Sequence, residues 1–415
     1  MEKVVIIGAG PAGMMAAIEA SKKYDVTILE KKEKVGMKLR ITGKGRCNIT
    51  FKGDSEYFFS HILENQKFML SSFNLFNNND LTKFANGMGV KTKEERGNRI
   101  FLQSDNAEEL ADKMLNRLKK CKVNIRYNSP VENVEKTEDG RVCITLFGGK
   151  KIIAKKCIIA TGGKSYPATG STGDGFKIAE KLGHTVSLLR PGLVGLKSND
   201  SACKELQGLT LKNVAITLKN DGKEVYSDFG EMMFSHFGVT GPVILSCSSK
   251  LVRESNYTEK LRNSSIVLKV DLKPALDFDV LDKRVQRDFE KYNTKELKNA
   301  LVDLLPKKMI IPVIQKSKLD GNKKVCSITK EERQKLISVL KGFEIIITDT
   351  MPIETGIVTV GGINLKEINP KTLESKIVPN IYFVGEILDL DALTGGFNLQ
   401  IAFSTGYACG YYLSN

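Results

Sequence analysis

The chain opens on an apolar run, residues 3–7, that stops at a glycine. Small and apolar residues then fill nearly every position of "PAGMMAAIEA", and a second run, "DVTILE", ends on the carboxylate of Glu30. An unbroken apolar run this short predicts a strand buried on both faces. The small-residue stretch predicts a helix covered on most sides, reaching to about Lys23. Residues 57–121 read as mostly helical and irregular. Within them "DNAEELADKMLNRLKKC" (105–121) starts on Asp and spaces its apolar residues three and four apart, which predicts an amphipathic helix. The runs "VNIRYN", "VENVEKT", "RVCITLF" and "KIIAKKCIIATGG" follow, broken by "EDG" and "GGK". They predict a β-meander returning to an apolar strand that ends near Thr161 and Gly162.

The pattern changes at Pro191. Residues 191–272 read as short strands joined by Gly, Asp and Asn turns, predicting a barrel or sandwich. Residues 275–341 read as helices, and "FEIIITDT" (343–350) as a strand rejoining the barrel. The tail carries an apolar strand ending at Gly385 and Glu386 and a helix starting near Gly395 and Gly396. No internal repeat is visible, and the tail lacks a glycine motif of its own. The predicted fold is therefore α/β: one split Rossmann-like domain with inserted β-barrel and helical subdomains. Its boundaries are 1–190 for the first part, 191–274 for the barrel, 275–341 for the helices, 342–350 for the returning strand and 351–415 for the second part.

The first unit also carries chemistry. Gly8, Gly10 and Gly13 form G-x-G-x-x-G between strand and helix, with Ala12 in the first helical turn. Gly8 permits a tight turn, Gly10 lets backbone approach a pyrophosphate, and Gly13 allows close packing of helix on strand. The uncapped helix start favours phosphate. Glu30, followed by Lys31, is placed to bind a ribose. In such folds adenine is held by backbone at the start of the meander, here Val131. The tail favours FAD over a nicotinamide dinucleotide as resident cofactor. Glu386 would lie along a ribityl chain, and the helix N-terminus, with Asn398 and Leu399, would face the flavin N1–C2=O edge.

Residues 36–50 contain the glycine-broken basic loop "ITGKGRCNIT". Lys38 and Arg46 are candidates to neutralise pyrophosphate or substrate charge, and Asn48 to hydrogen-bond the isoalloxazine. Cys47 is the first catalytic candidate, a proton donor beside the flavin, where a nearby Arg46 would lower its pKa and favour the thiolate, or else a small buried filler. His236, in "FSHFGVTGP", is the second catalytic candidate, as an acid–base group or as a structural histidine placed between domains.

Composition narrows the class. No apolar run of the 415 residues approaches the ~20 needed to span a bilayer, and "MEKVVIIG" enters a strand at once, so a cytoplasmic protein without a membrane role is expected. The 8 cysteines are scattered without C-x-x-C spacing, so no metal site is expected. The net charge is +15, and residues 281–341 hold 16 Lys and Arg against 8 Asp and Glu. Concentration of about half the excess there points to a polyanionic partner, with a general lysine bias of composition as the alternative. Lys307, Lys308, Lys323 and Lys324 are the candidate contacts.

The segments "GAGPAGMMAA", "GMKLRITGKGRCNIT", "RIFLQSDNA", "ATGGKSYPATGSTGDGF", "GEMMFSHFGVTGP" and "VGEILDLDALTGGFNLQIAFSTGYACG" together resemble the BaiN/RdsA-type flavoprotein family. That family is related in its cofactor domain to glutathione-reductase-like FAD enzymes. Leu102 departs from its pattern, where proline is expected after "RIF". The resemblance implies a split FAD domain with barrel and helical insertions, and NADH or NADPH as a transient reductant. It implies reduction of a C=C bond, with a uridine of large-subunit ribosomal RNA as substrate and no DNA partner. The alternatives are a small-molecule reductase or oxidase, acting on enones of bile-acid type or on aminoacetone-type amines, and a flavin-containing RNA-binding protein with little catalysis. The oligomeric state is left open.

Overall fold

The strand β1 (Lys3–Ile7) is the middle of a five-stranded parallel sheet. β2 (Asp25–Leu29) and Asn124–Arg126 lie to one side of it, Lys156–Ile159 and Ile381–Phe383 to the other. Four of the five β1 residues are buried, which is why the run has no polar alternation. The register pairs Ile6 with Ile28 and Ile158, and Ile159 with Phe383, so the last strand comes from the far end of the chain.

The helix α1 (Pro11–Ala20) starts on a proline that needs no N–H partner. It is buried at 9 of 10 positions because the C-terminal helix Phe397–Ser414 crosses it through glycines. A Cβ on Gly406 would lie 2.2 Å from the Ala12 carbonyl oxygen, and one on Gly410 would lie 2.5 Å from Glu19 Cβ. The antiparallel meander Val131–Lys136, Val142–Leu146 and Lys151–Ala154 precedes the strand Lys156–Ile159.

This computed structural model describes residues 1–415 as two units, Met1–Gly192 with Ile353–Asn415, and Leu193–Pro352. In the second unit Thr210–Asn220 and Lys223–Ser235 form a long hairpin flanked by Ile266–Asp271 on one side and Gly238–Thr240 on the other. Leu196–Lys197 follows Gly238–Thr240. The segment 343–350 joins the two edges: Phe343–Ile346 pairs with Ile266–Asp271, and Asp349–Thr350 pairs with Leu196–Lys197. The sheet thus closes on itself, leaving no long open edge. Helices Phe278–Lys291, Lys307–Lys316 and Lys330–Lys341 share a core with it, in which Leu281, Val313, Leu336 and Phe343 are buried together.

The fold class is the α/β arrangement that the pattern predicts, with three local departures. Residues 191–272 are not all short strands: the hairpin arms are 11 and 13 residues long, and helices Pro242–Leu251 and Tyr257–Arg262 intervene. "PVILSCSSKL" is buried on several sides, so it has no amphipathic period to read. Residues 57–121 contain a hairpin, Thr92–Glu95 with Arg99–Leu102, which pairs with Asn48–Phe51. Its first arm, "TKEE", is too polar to read as a strand. Leu102, the departure from the family pattern, ends the second arm and is fully buried. No helix is long and apolar enough to cross a membrane.

Candidate active site

The three motif glycines do different things. Gly8 has φ of 102° and donates its N–H to Leu29 O at 2.8 Å, so the chain turns sharply off β1. A Cβ on Gly13 would lie 2.1 Å from Gly8 O, so this position fixes the packing of α1 against the turn. A Cβ on Gly10 would meet nothing within 4 Å. That open side faces the start of α1, where no side chain caps the helix. Uncapped N–H groups at a helix start favour an anion.

Glu30 closes the same corner. Its Oε2 accepts from the Ala9 N–H and its Oε1 from the Lys32 N–H, both at 2.8 Å. Burial raises its pKa, while these backbone donors oppose the rise. Ser129 N–H donates to Glu30 O at 2.9 Å and Asn128 N–H to Lys32 O at 3.2 Å. Those bonds bring Val131, at the start of the meander, to the Glu30 end of β2. Lys31 binds Asp174 and Thr172, each at 2.6 Å, and so is already engaged.

The tail joins this corner from the other side. Gly385 has φ of 78°, and a Cβ there would lie 2.8 Å from Ala12 Cβ. Lys38 and Glu386 form an ion pair at 2.8 Å. Lys38 also donates to Ser165 Oγ at 2.7 Å, and Glu386 accepts from the Thr359 N–H at 2.9 Å. Gly162, with φ of 73°, and Gly163 pass beside this pair, with the Gly163 Cβ direction 3.2 Å from Glu386 Cδ. Thr161 Oγ1 is buried without a hydrogen-bond partner. That orphaned hydroxyl, the open side of Gly10, the uncapped helix and the Glu30 carboxylate all fit an extended dinucleotide.

The basic loop departs from expectation at several positions. Arg46 is paired with Glu95 and Asp105 and lies over the Phe101 ring at 4.5 Å, so two carboxylates already satisfy it. It therefore does not lower the pKa of Cys47. That thiol is fully buried, and burial pushes its pKa up to about 12. The side chain reaches no surface where a substrate could meet it, which removes the expected acid role. Asn48, oriented so that its amide is satisfied, donates to the Thr50 and Ile100 carbonyls and accepts from the Gly396 N–H. It ties the loop to the start of the C-terminal helix, so its amide is already occupied. Asn398 likewise clasps the Ala392 N–H and carbonyl at 2.9 and 2.7 Å. Leu399 lies in the first turn of a helix that no side chain caps, which leaves backbone donors at that end.

His236 is exposed in the two-residue turn between Ser235 and Gly238, inside the barrel rather than on an interdomain connection. Lys323 makes a two-oxygen contact with Glu332 at 2.7 Å, so it is not a free cation, whereas Lys307, Lys308 and Lys324 are exposed. One residue passed over in the sequence lies close to the helix start. The His61 ring stacks on Phe397 with centroids 4.3 Å apart, and its Nδ1 is 2.7 Å from Tyr57 O. The rarity of histidine, 3 in the chain, was the available signal.

Cys47→Ala is expected to keep its cofactor and to form product within about threefold of wild type, far short of the ~10²–10⁴-fold loss of a general acid. It should unfold at lower denaturant, because the thiol fills core space. Steady-state kinetics and a urea titration check both, and a hundredfold loss of turnover in a folded variant would restore the acid role.

The family model described as "HI0933-like protein Rossmann domain" matches residues 2–412. A 3-dehydro-bile acid delta(4,6)-reductase of Clostridium scindens is 30% identical over 99% of this chain and 98% of its own length. A ribosomal RNA dihydrouridine synthase of Escherichia coli K12 is 30% identical over 98% of this chain and 96% of its own. A solved 3-ketosteroid-delta4-(5alpha)-dehydrogenase from Rhodococcus jostii RHA1 superposes with a TM-score of 0.55 at 14% identity, covering 100% of this chain and 97% of that one. At that identity it supports the fold alone. With a match that runs almost from end to end, the chain belongs to the HI0933-like Rossmann-domain family.

Proposed function

We propose that the protein is an FAD-dependent oxidoreductase that uses NADH or NADPH to saturate a C=C bond, and that its substrate is a uridine of large-subunit ribosomal RNA. The observation that carries the substrate is the basic excess of residues 281–341, together with 30% identity to a ribosomal RNA dihydrouridine synthase over 98% of the chain. A long polyanion needs such a surface, since phosphate contacts dominate affinity. When bound, FAD would supply the hydride that one carbon of the double bond receives, and water would supply the proton taken up by the other. Glu30 would accept ribose hydroxyls, and Gly10 with the start of α1 would hold the pyrophosphate. The backbone at Val131 would hold adenine, and Thr161 would supply a hydroxyl to the cofactor. The start of the C-terminal helix would place its dipole at the pyrimidine edge of the flavin. The Lys38–Glu386 pair, fixed by Ser165 and Thr359, would give the floor of the site a set orientation.

Mass spectrometry of large-subunit ribosomal RNA tests the substrate. A strain lacking the gene should lose dihydrouridine at one position and regain it on complementation. Purified protein with NADPH should install it in RNA from the deletion strain. Unchanged RNA, with turnover of a conjugated ketone by the purified protein, would overturn the reading. It would favour the second one, small-molecule enone reduction, to which the 30% identity with the bile-acid reductase points.

A further inference from the structure

Helices Lys307–Lys316 and Lys330–Lys341 border an open groove of about 680 Å³. Its lining includes Lys316, Lys318, Lys330 and Lys335 against a single carboxylate, Glu331. Lys316 is held by Asp200 at 2.6 Å and lies over the Phe343 ring. Lys318, Lys330 and Lys335 are exposed and make no direct ion pair, although Glu331 and Asp282 feel the charge of Lys330, and Glu332 that of Lys335, through space. Nearby acidic side chains are used elsewhere: Glu332 on Lys323, and Asp282 on Arg333. Three exposed ammonium groups beside one carboxylate leave the groove net positive, a surface that favours a polyanion.

We propose that this groove holds the phosphate backbone of RNA. The inference rests on the RNA reading above and narrows it, from the charge of a whole segment to one face of two helices. Lysine suits such a task, because a compact ammonium on a flexible stem meets successive phosphates without demanding one geometry. Contacts of this kind position the nucleic acid and carry no sequence information. The groove therefore fixes where the RNA lies, while the choice of base belongs to the site itself.

The test is the full-length protein with Lys318→Gln, Lys330→Gln and Lys335→Gln combined, beside a charge-matched control, Lys119→Gln, Lys120→Gln and Lys122→Gln. Binding to a large-subunit ribosomal RNA fragment is measured across a salt series. The groove variant should bind at least about tenfold more weakly at physiological salt. The magnitude of its slope of log K against log salt should fall by about 2 to 3, as expected for three lost phosphate contacts. Flavin content and NADPH oxidation without RNA should be unchanged in both proteins. Equal loss in the two variants, or no loss in the groove variant, would overturn the proposal. The wider reading is scored separately. Wild type that binds RNA through the groove but forms no dihydrouridine leaves the groove standing and removes the substrate. Dihydrouridine formed by the groove variant with unchanged KM does the reverse.

Discussion

Gly13→Ala should cost the protein stability and flavin together, whereas Gly10→Ala should cost it only the flavin. The added Cβ at Gly13 would lie 2.1 Å from a backbone oxygen, which no rotamer change relieves. The turn or the helix has to move, and overpacking of this kind costs about 1–3 kcal/mol, more where backbone is the obstacle. At Gly10 the backbone is extended, with φ of −75° and ψ of 178°, and the added carbon enters open space. Urea unfolding of the apoprotein should therefore match wild type for Gly10→Ala and shift to lower denaturant for Gly13→Ala. The flavin-to-protein ratio should fall in both. Full flavin loading of Gly10→Ala would show that no pyrophosphate approaches that face.

Glu30→Ala should have the second largest effect, in two parts. It removes the acceptors of two backbone N–H groups, Ala9 and Lys32, and a buried donor left unsatisfied costs about 1–3 kcal/mol. It also removes the ribose contact. A hydrogen bond to a charged group contributes about 1.5–3 kcal/mol, so FAD affinity should fall about 10- to 150-fold for each bond lost. The parts separate by experiment. Apoprotein unfolding reports the first, and FAD titration of refolded apoprotein reports the second. A destabilised apoprotein with unchanged FAD affinity would make Glu30 a brace for the turn and nothing more.

The parts that could be read in the sequence were those whose determinants are contiguous. β1, the glycine turn, α1 and β2 occupy some 30 residues, and each glycine's task follows from its place in that unit. Partners that come from distant segments could not be read. Nothing near Arg46 indicates that Glu95 and Asp105 will satisfy it, so a loop arginine reads as a phosphate ligand. Lys38 and Glu386 were both candidate cofactor ligands, yet their pairing across 348 positions is a property of the fold. The two readings of Cys47, proton donor or buried filler, could not be separated for a related reason: the hairpin Thr92–Glu95 with Arg99–Leu102, itself hidden by charge, pairs with the strand that follows Cys47, and the thiol lies in the core.

The sheet of the first unit has a consequence for how the protein is made. The strand Lys156–Ile159 pairs on one side with β1 and on the other with Ile381–Phe383, which leaves the ribosome more than 200 residues later. At about 5–20 residues per second the interval is on the order of 10 s or longer. Throughout it the nascent chain presents an unpaired strand edge that is apolar after Lys156, and α1 lacks the helix that covers its glycine-and-alanine face. Such an edge recruits other strands as readily as its own. The second unit, encoded entirely within that interval, can close its own sheet first. Completion of the nucleotide pocket is then the last event of synthesis, and a ribosome stalled before residue 381 releases a folded barrel attached to a cofactor half that remains sticky and empty.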